Sequence, residues 1–327
     1  MIDIHAHLHD GAFDADRDEV VQRALDTGVT KIITIGTDSM ESEKAVACAE
    51  RYENVYASIG VHPHFFNEVI GREISNSKLQ APNKSQSSNS KIQDSGSFIE
   101  CGMTSLREWM DELRAMVQSS KKVVAIGECG LDYFVREEQG RIRTADAPPA
   151  GGTTAVSEEQ KALQKAGFLA QIELAQELNL PLIIHCRPSK GIMDAYEDLF
   201  STLSHPISRI QYPVSILHCY MGDTEVTEKF LTLPSIYFSF TGNITYPVKK
   251  LLAGTKNDLT ETVRLIPIER ILAETDCPYL APQTHRGKRN EPVFVTEVVG
   301  KIAEIKGIPR ETGEKTITAS AKMIFGI

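Results

Sequence analysis

Short, near-continuous apolar runs alternate along the chain with longer segments in which apolar residues recur every three or four positions. The runs occupy residues 2–5, 31–36, 55–60, 123–127, 182–185, 214–218, 236–240 and 271–274. Uninterrupted apolar runs of this length suit parallel strands covered on both faces. The segments between them carry helical stripes. Val20, Val21, Ala24 and Leu25 form one, closed by Gly28 at a C-terminal cap position, and Leu106, Trp109, Met110, Leu113, Met116 and Val117 form another. Ser157-Glu158-Glu159-Gln160 reads as a capping box that opens a helix reaching Leu178 and Asn179, and Pro181 stops it. Ile192, Tyr196 and Leu199, then Val295, Val298, Val299 and Ile302, mark two more. Eight strand–helix units predict a closed (β/α)₈ TIM-type barrel, with an open doubly wound sheet as the alternative.

Two stretches break the alternation. Residues 67–104 are rich in Ser, Asn, Lys and Gln, and residues 136–156 contain Ala147-Pro148-Pro149-Ala150-Gly151-Gly152. Both compositions read as loop insertions in a single barrel domain spanning 1–327. They follow the third and fourth strands, so in a barrel they rim the mouth where catalysis occurs. A chain of 327 residues fits one such domain. Its 41% hydrophobic content supplies a large core, and no run approaches the ~20 residues that span a bilayer. The first residues, Met1-Ile2-Asp3-Ile4-His5, lack signal-peptide character, so the expectation is an intracellular protein without membrane association, cytoplasmic with a nuclear location left open. Six cysteines without CxxC spacing argue against a disulfide framework or a structural zinc cluster. A net charge of −9 excludes a wholly basic nucleic-acid coat but not an enzyme whose local positive charge comes from metal ions.

The strand ends carry the chemistry. The first gives His5-Ala6-His7, two imidazoles that share a face of an extended chain. The fourth gives Gly127-Glu128-Cys129-Gly130, the fifth His185, the sixth His218, and the eighth Glu274-Thr275-Asp276. Each residue alone could be a polar group closing a strand. In a parallel barrel the ends converge on one rim, so His5, His7, Glu128, His185, His218 and Asp276 form a candidate set of metal ligands. Four imidazoles and two carboxylates suit two divalent ions, with Glu128 placed to bridge; magnesium, manganese and zinc all remain open.

With these residues in view, the sequence resembles the TatD family of metal-dependent deoxyribonucleases. The resemblance rests on His5-Ala6-His7-Leu8, Gly60-Val61-His62-Pro63-His64, Gly127-Glu128-Cys129-Gly130-Leu131-Asp132-Tyr133, Ile184-His185-Cys186-Arg187, Thr275-Asp276-Cys277-Pro278-Tyr279-Leu280 and Asn290-Glu291-Pro292. It implies His5 and His7 on one metal, His185 and His218 on or near the other, and Glu128 between them. Asp276 would handle the proton of the attacking water, and His62 would assist the departing oxygen. His64, Arg187, His285 and Arg286 would face substrate. The chain departs from the family pattern at His9, Pro188 and Tyr220-Met221, positions that bear on substrate preference.

The resulting expectation is metal-assisted hydrolysis of phosphodiester bonds in DNA, with 3′–5′ exonuclease action as the family's implication. Two rivals stay open. One is an amidohydrolase-type enzyme acting on a C–N, ester or lactone bond, and the other is a binding protein on the same barrel. The basic segment Arg286-Gly287-Lys288-Arg289 favours a phosphate-bearing substrate.

Overall fold

The computed structural model describes residues 1–66, 94–138, 141–143, 156–204, 213–247 and 259–327. Eight strands form one parallel sheet: β1 (Ile2–Ala6), β2 (Lys31–Ile35), β3 (Val55–Ile59), β4 (Val123–Asp132), β5 (Leu182–Arg187), β6 (Ser215–Leu217), β7 (Ile236–Phe240) and β8 (Ile271–Ala273). Each pairs with its neighbour in sequence. A parallel bridge between Ala6 and Cys277 brings the first strand against the last, so the sheet is nearly closed into a barrel. That is the (β/α)₈ architecture the alternation predicts, and not an open doubly wound sheet.

The helices that surround it are α1 (Arg17–Asp26), α2 (Ser39–Arg51), α3 (Asp94–Ser119), α4 (Glu158–Leu178), α5 (Asp194–Ser204), α6 (Thr224–Leu231), α7 (Leu259–Leu265), α8 (Val295–Lys306) and α9 (Arg310–Phe325). Ser157 caps α4 through the reciprocal bonds of a capping box with Gln160. Residues 67–93 of the first expected insertion lie outside the described residues, and 94–104 are the first turns of α3. The second lies outside them apart from residue 156 and a short antiparallel pair, Arg136–Glu138 with Arg141–Arg143. Ile192, expected on a helical stripe, precedes α5 and is exposed. Among the described residues no helix is long and apolar enough to cross a membrane.

Two apolar layers follow from the alternation of side chains along each strand. Ile4, Ile33, Val124, Ile183, Ile216 and Leu272 pack together, with Ala321 and Phe325 of α9 against them, and fill the barrel. The opposite strand faces join the helices in one larger core. At about 25 cal/mol per Å² of buried apolar surface, these layers dominate the stabilisation of the barrel. They leave the C-terminal strand ends free to carry polar groups.

Candidate metal centre

The pairing of β1 with β2 shifts register between Asp3 and Ala6, and that of β4 with β5 shifts between Ile126 and Cys129. His5 and Glu128 sit within those irregularities, which re-aim a side chain out of strict alternation. Glycine permits the second. Gly127 and Gly130 have φ of +144° and +135°, and a Cβ on Gly130 would lie 2.1 Å from the carbonyl oxygen of His185. β4 therefore continues five residues beyond the point where its apolar run ends, and delivers both Glu128 and Asp132 to the mouth.

The six expected ligands converge, with Glu128 at their centre. Its Oε1 lies 2.7 Å from Nδ1 of His185, 3.6 Å from Nε2 of His62 and 3.8 Å from Nε2 of His218; its Oε2 lies 3.6 Å from Nε2 of His5. Oδ1 of Asp276 stands 3.4 Å from Nε2 of His7 and 3.7 Å from Nε2 of His5. Ligand atoms group as His5–His7–Glu128, His5–His218–Asp276, His62–Glu128–His185 and His62–His64–Asp132. The first sets His5 beside His7 and Glu128. The imidazole that joins His185 at Glu128 is His62, whereas His218 stacks on His5 with ring centroids 3.6 Å apart.

Whether these groups fit divalent ions is tested by His5. It is fully buried, yet neither of its ring nitrogens makes a hydrogen bond. Leaving such atoms unpaired is costly. The separations of 3.4–3.8 Å to the carboxylates exceed a hydrogen bond, and they suit two ligand atoms sharing one ion at ~2.0–2.2 Å from each. The charge balance agrees. Burial alone would lower the pKa of His185, but hydrogen bonds to Asp132 and Glu128 lift it to about 10. Burial likewise opposes protonation of His218, yet Glu274 at 2.9 Å from Nδ1 carries it up to about 9. Burial opposes ionisation of Glu128, but the surrounding histidines hold its carboxyl well below its usual range. The cluster attracts positive charge. These histidines and carboxylates are suited to binding divalent metal ions.

The main chain fixes the positions. Asp276 has φ of +57°, in the left-handed region, with its N–H donating to His5 O at 2.8 Å. His62 N–H donates to Thr37 O at 2.7 Å. His62 Nδ1 in turn accepts from His64 N–H at 3.2 Å, which leaves the Nε2 proton pointing at Glu128. Burial, and then the neighbouring His185, hold His62 well below the ordinary histidine pKa. It is a neutral donor.

Four buried polar residues absent from the expected site support it. Asp132 accepts from His185 and lies 2.8 Å from Nε2 of His64. Glu274 stands behind His218 and also accepts from Cys219 N–H and Ser239 Oγ. Such carboxylates orient histidine ligands. Gln164 and Gln171 of α4 bond the main chains of Asp132 and Val61. The residues expected to face substrate vary in what they touch. His64 faces Asp132, and the guanidinium of Arg187 lies 3.9 Å from the ring centroid of Phe134. Arg286 lies 4.5 Å over the ring of Tyr246. His285 pairs with Glu297 at 2.9 Å and stacks on Phe294. Arg289 of the basic segment is bound to Asp16 and Glu291. His9 bridges Thr34 and Glu41 at 2.9 and 3.0 Å.

A family model described as TatD related DNase matches residues 2–326. The chain is 32% identical to YabD of Bacillus subtilis, described as an uncharacterized metal-dependent hydrolase, over 100% of this chain and 99% of that protein. It is 30% identical to the 3′-5′ ssDNA/RNA exonuclease TatD of Escherichia coli K12, over 100% and 99% respectively. Among solved structures, the TatD homologue YjjV of E. coli K12 matches with a TM-score of 0.69 and 22% identity, covering 100% of this chain and 98% of its own. A Saccharomyces cerevisiae protein described as an uncharacterized amidohydrolase matches at 0.70 and 21%, covering 99% of each. At those identities the structural likeness is one of fold.

Proposed function

This chain belongs to the TatD family of metal-dependent hydrolases, and from that footing we propose that it hydrolyses phosphodiester bonds in DNA, acting from the 3′ end of single strands. The observation that carries the reading is Glu128, whose two oxygens face separate sets of histidines in the manner of a carboxylate bridging two ions. His5 and His7 would hold one ion with Glu128, and His185 would hold the other, with His218 and Asp276 alongside. When bound, divalent ions lower the pKa of a coordinated water and offset the charge that builds on the phosphate. Asp276 takes the proton of the attacking water; its carboxyl is held below the usual range, with burial outweighed by the neighbouring His7, His218 and His5. Neutral His62 turns its Nε2–H toward the same space, where it hydrogen-bonds the departing oxygen, and the proton taken up by Asp276 passes through solvent to that oxygen to complete the alcohol. The name of the E. coli relative supports the single-strand, 3′–5′ sense.

The test is digestion of end-labelled single- and double-stranded DNA after chelation, with magnesium, manganese or zinc restored one at a time. The reading expects metal-dependent shortening from the 3′ end, lost in Asp276→Asn while the fold is retained. Hydrolysis of ester or amide substrates with no cleavage of DNA under any metal would overturn it.

A further inference from the structure

Five large apolar side chains are exposed among the described residues: Met40, Ile192, Leu265, Tyr279 and Met323. Scattered surface apolar residues are ordinary. Three of these are not scattered. Met40 opens α2 after β2, Ile192 lies between β5 and α5, and Tyr279 follows β8, so all three stand at the C-terminal strand ends around the histidine cluster. Leu265 and Met323 lie near the C-terminal ends of α7 and α9, toward the opposite face.

Tyr279 is the one beside the chemistry. It is 55% exposed, and its ring centroid stands 6.0 Å from that of His7, at an interplanar angle of 70°. Its main chain is fixed. Tyr279 N–H donates to Asp276 O at 2.9 Å, and the fully buried Asn290 donates through Nδ2 to the carbonyls of both Thr275 and Tyr279. The Asn290 clamp ties the main chain of Tyr279 to the loop that carries Asp276, so the root of the ring and that loop keep one relative position. An exposed aromatic ring on a main chain anchored at a phosphate-processing centre offers a π-face to a base, and any base can use it.

Resting on the nuclease reading, we propose that Tyr279 is the stacking platform for the base of the terminal nucleotide, and that it confers preference for unpaired ends. A base in a duplex is stacked and paired already, so it reaches the ring only after leaving the helix. A frayed or single-stranded end presents it free.

The experiment compares 3′-terminal oligonucleotides that differ in one respect: the last residue carries a thymine or is an abasic analogue. Wild-type protein should prefer the base-bearing end in kcat/KM. Tyr279→Ala should lower that preference by roughly tenfold or more, and Tyr279→Trp should restore it. Binding of the two oligonucleotides in an Asp276→Asn background, read by fluorescence anisotropy, should show the same collapse without turnover. If wild type cleaves both ends and Tyr279→Ala keeps the full preference, or loses both substrates equally, the stacking role is overturned and the nuclease reading stands. If wild type neither cleaves nor binds either oligonucleotide, both fall.

Discussion

Gln164 bonds the main chain of Asp132 in both directions, accepting from its N–H at 2.8 Å and donating to its carbonyl at 2.9 Å. Two turns further along α4, Gln171 repeats the arrangement on Val61, immediately before His62. One outer helix thus sets the height of two strand ends at the mouth. Gln164→Leu should cost about 1–3 kcal/mol for each main-chain group left unpaired. It should also lower activity more than a substitution of equal destabilising effect elsewhere, because Asp132 then loosens its hold on His185. Thermal melts paired with kcat measurements check this; loss of stability with unchanged kcat would limit Gln164 to a structural role.

Metal uptake should release protons. His185 and His218, lifted to about 10 and about 9 by their carboxylate neighbours, are protonated at pH 7 without cations and must lose those protons to become ligands. Manganese added to chelated protein in weak buffer should therefore acidify the solution, by up to about two protons per chain. The sign for stability is also fixed. Folded-state pKa values above the unfolded ~6.5 favour the metal-free fold at low pH, and that contribution is lost as pH rises from about 7 to 10. Metal-free protein should become less stable across that window. A flat melting temperature and no proton release would contradict the charge balance described for the cluster.

Two glycines separate conformational strain from collision. Gly28 has φ of +90° with nothing within 4 Å of an added Cβ, whereas Gly130 combines φ of +135° with the 2.1 Å approach to His185 O. Gly28→Ala should cost about 1–3 kcal/mol from strain alone. Gly130→Ala should cost more, and should lower metal affinity by pushing β5 from β4. Calorimetry and metal titration distinguish the two, and equal effects would count against the close approach.

The basic segment divides in role. Arg289 is committed to Asp16 and Glu291, and the hydrogen bond from Arg289 draws the Asp16 carboxyl down to about 2. Arg286 makes a ring contact with Tyr246 and, among the described residues, no ion pair with it is found. Arg286→Ala should weaken binding of DNA and reduce the slope of affinity against salt concentration by about one. Arg289→Ala should lower the melting temperature and leave that slope unchanged. The reverse pattern would exchange their roles.

The barrel was legible because its strands are continuous apolar runs, and the six converging histidines and carboxylates because each lies at or just beyond the end of such a run. What escaped the reading did so for physical reasons. β4 looks finished at Gly127, since glycines interrupt its apolar pattern, so the reach of the strand to Asp132 was hidden. Gln164 and Gln171 gave no signal, because a polar residue buried to bond main chain leaves no periodic trace. Glu274 ends an apolar run like the ligands do, yet its place behind His218 depends on the neighbouring strand. The first turns of α3 are masked by a Ser-rich composition that favours loops. Asp223 could have announced α6, for its side chain accepts from Val226 N–H as an N-cap.

The contact of β1 with β8 has a consequence for when the candidate metal site is assembled. Asp3 accepts from both the N–H and the hydroxyl of Thr275, and His5 meets Asp276 across the same seam. A ribosome-bound chain that has not yet released β8 has its histidines but lacks the carboxylate beside His7 and the neighbour that steadies β1. Its candidate metal site is then incomplete. Closure of the seam thus makes assembly of the site a late event in folding, because topology joins the first strand to the last.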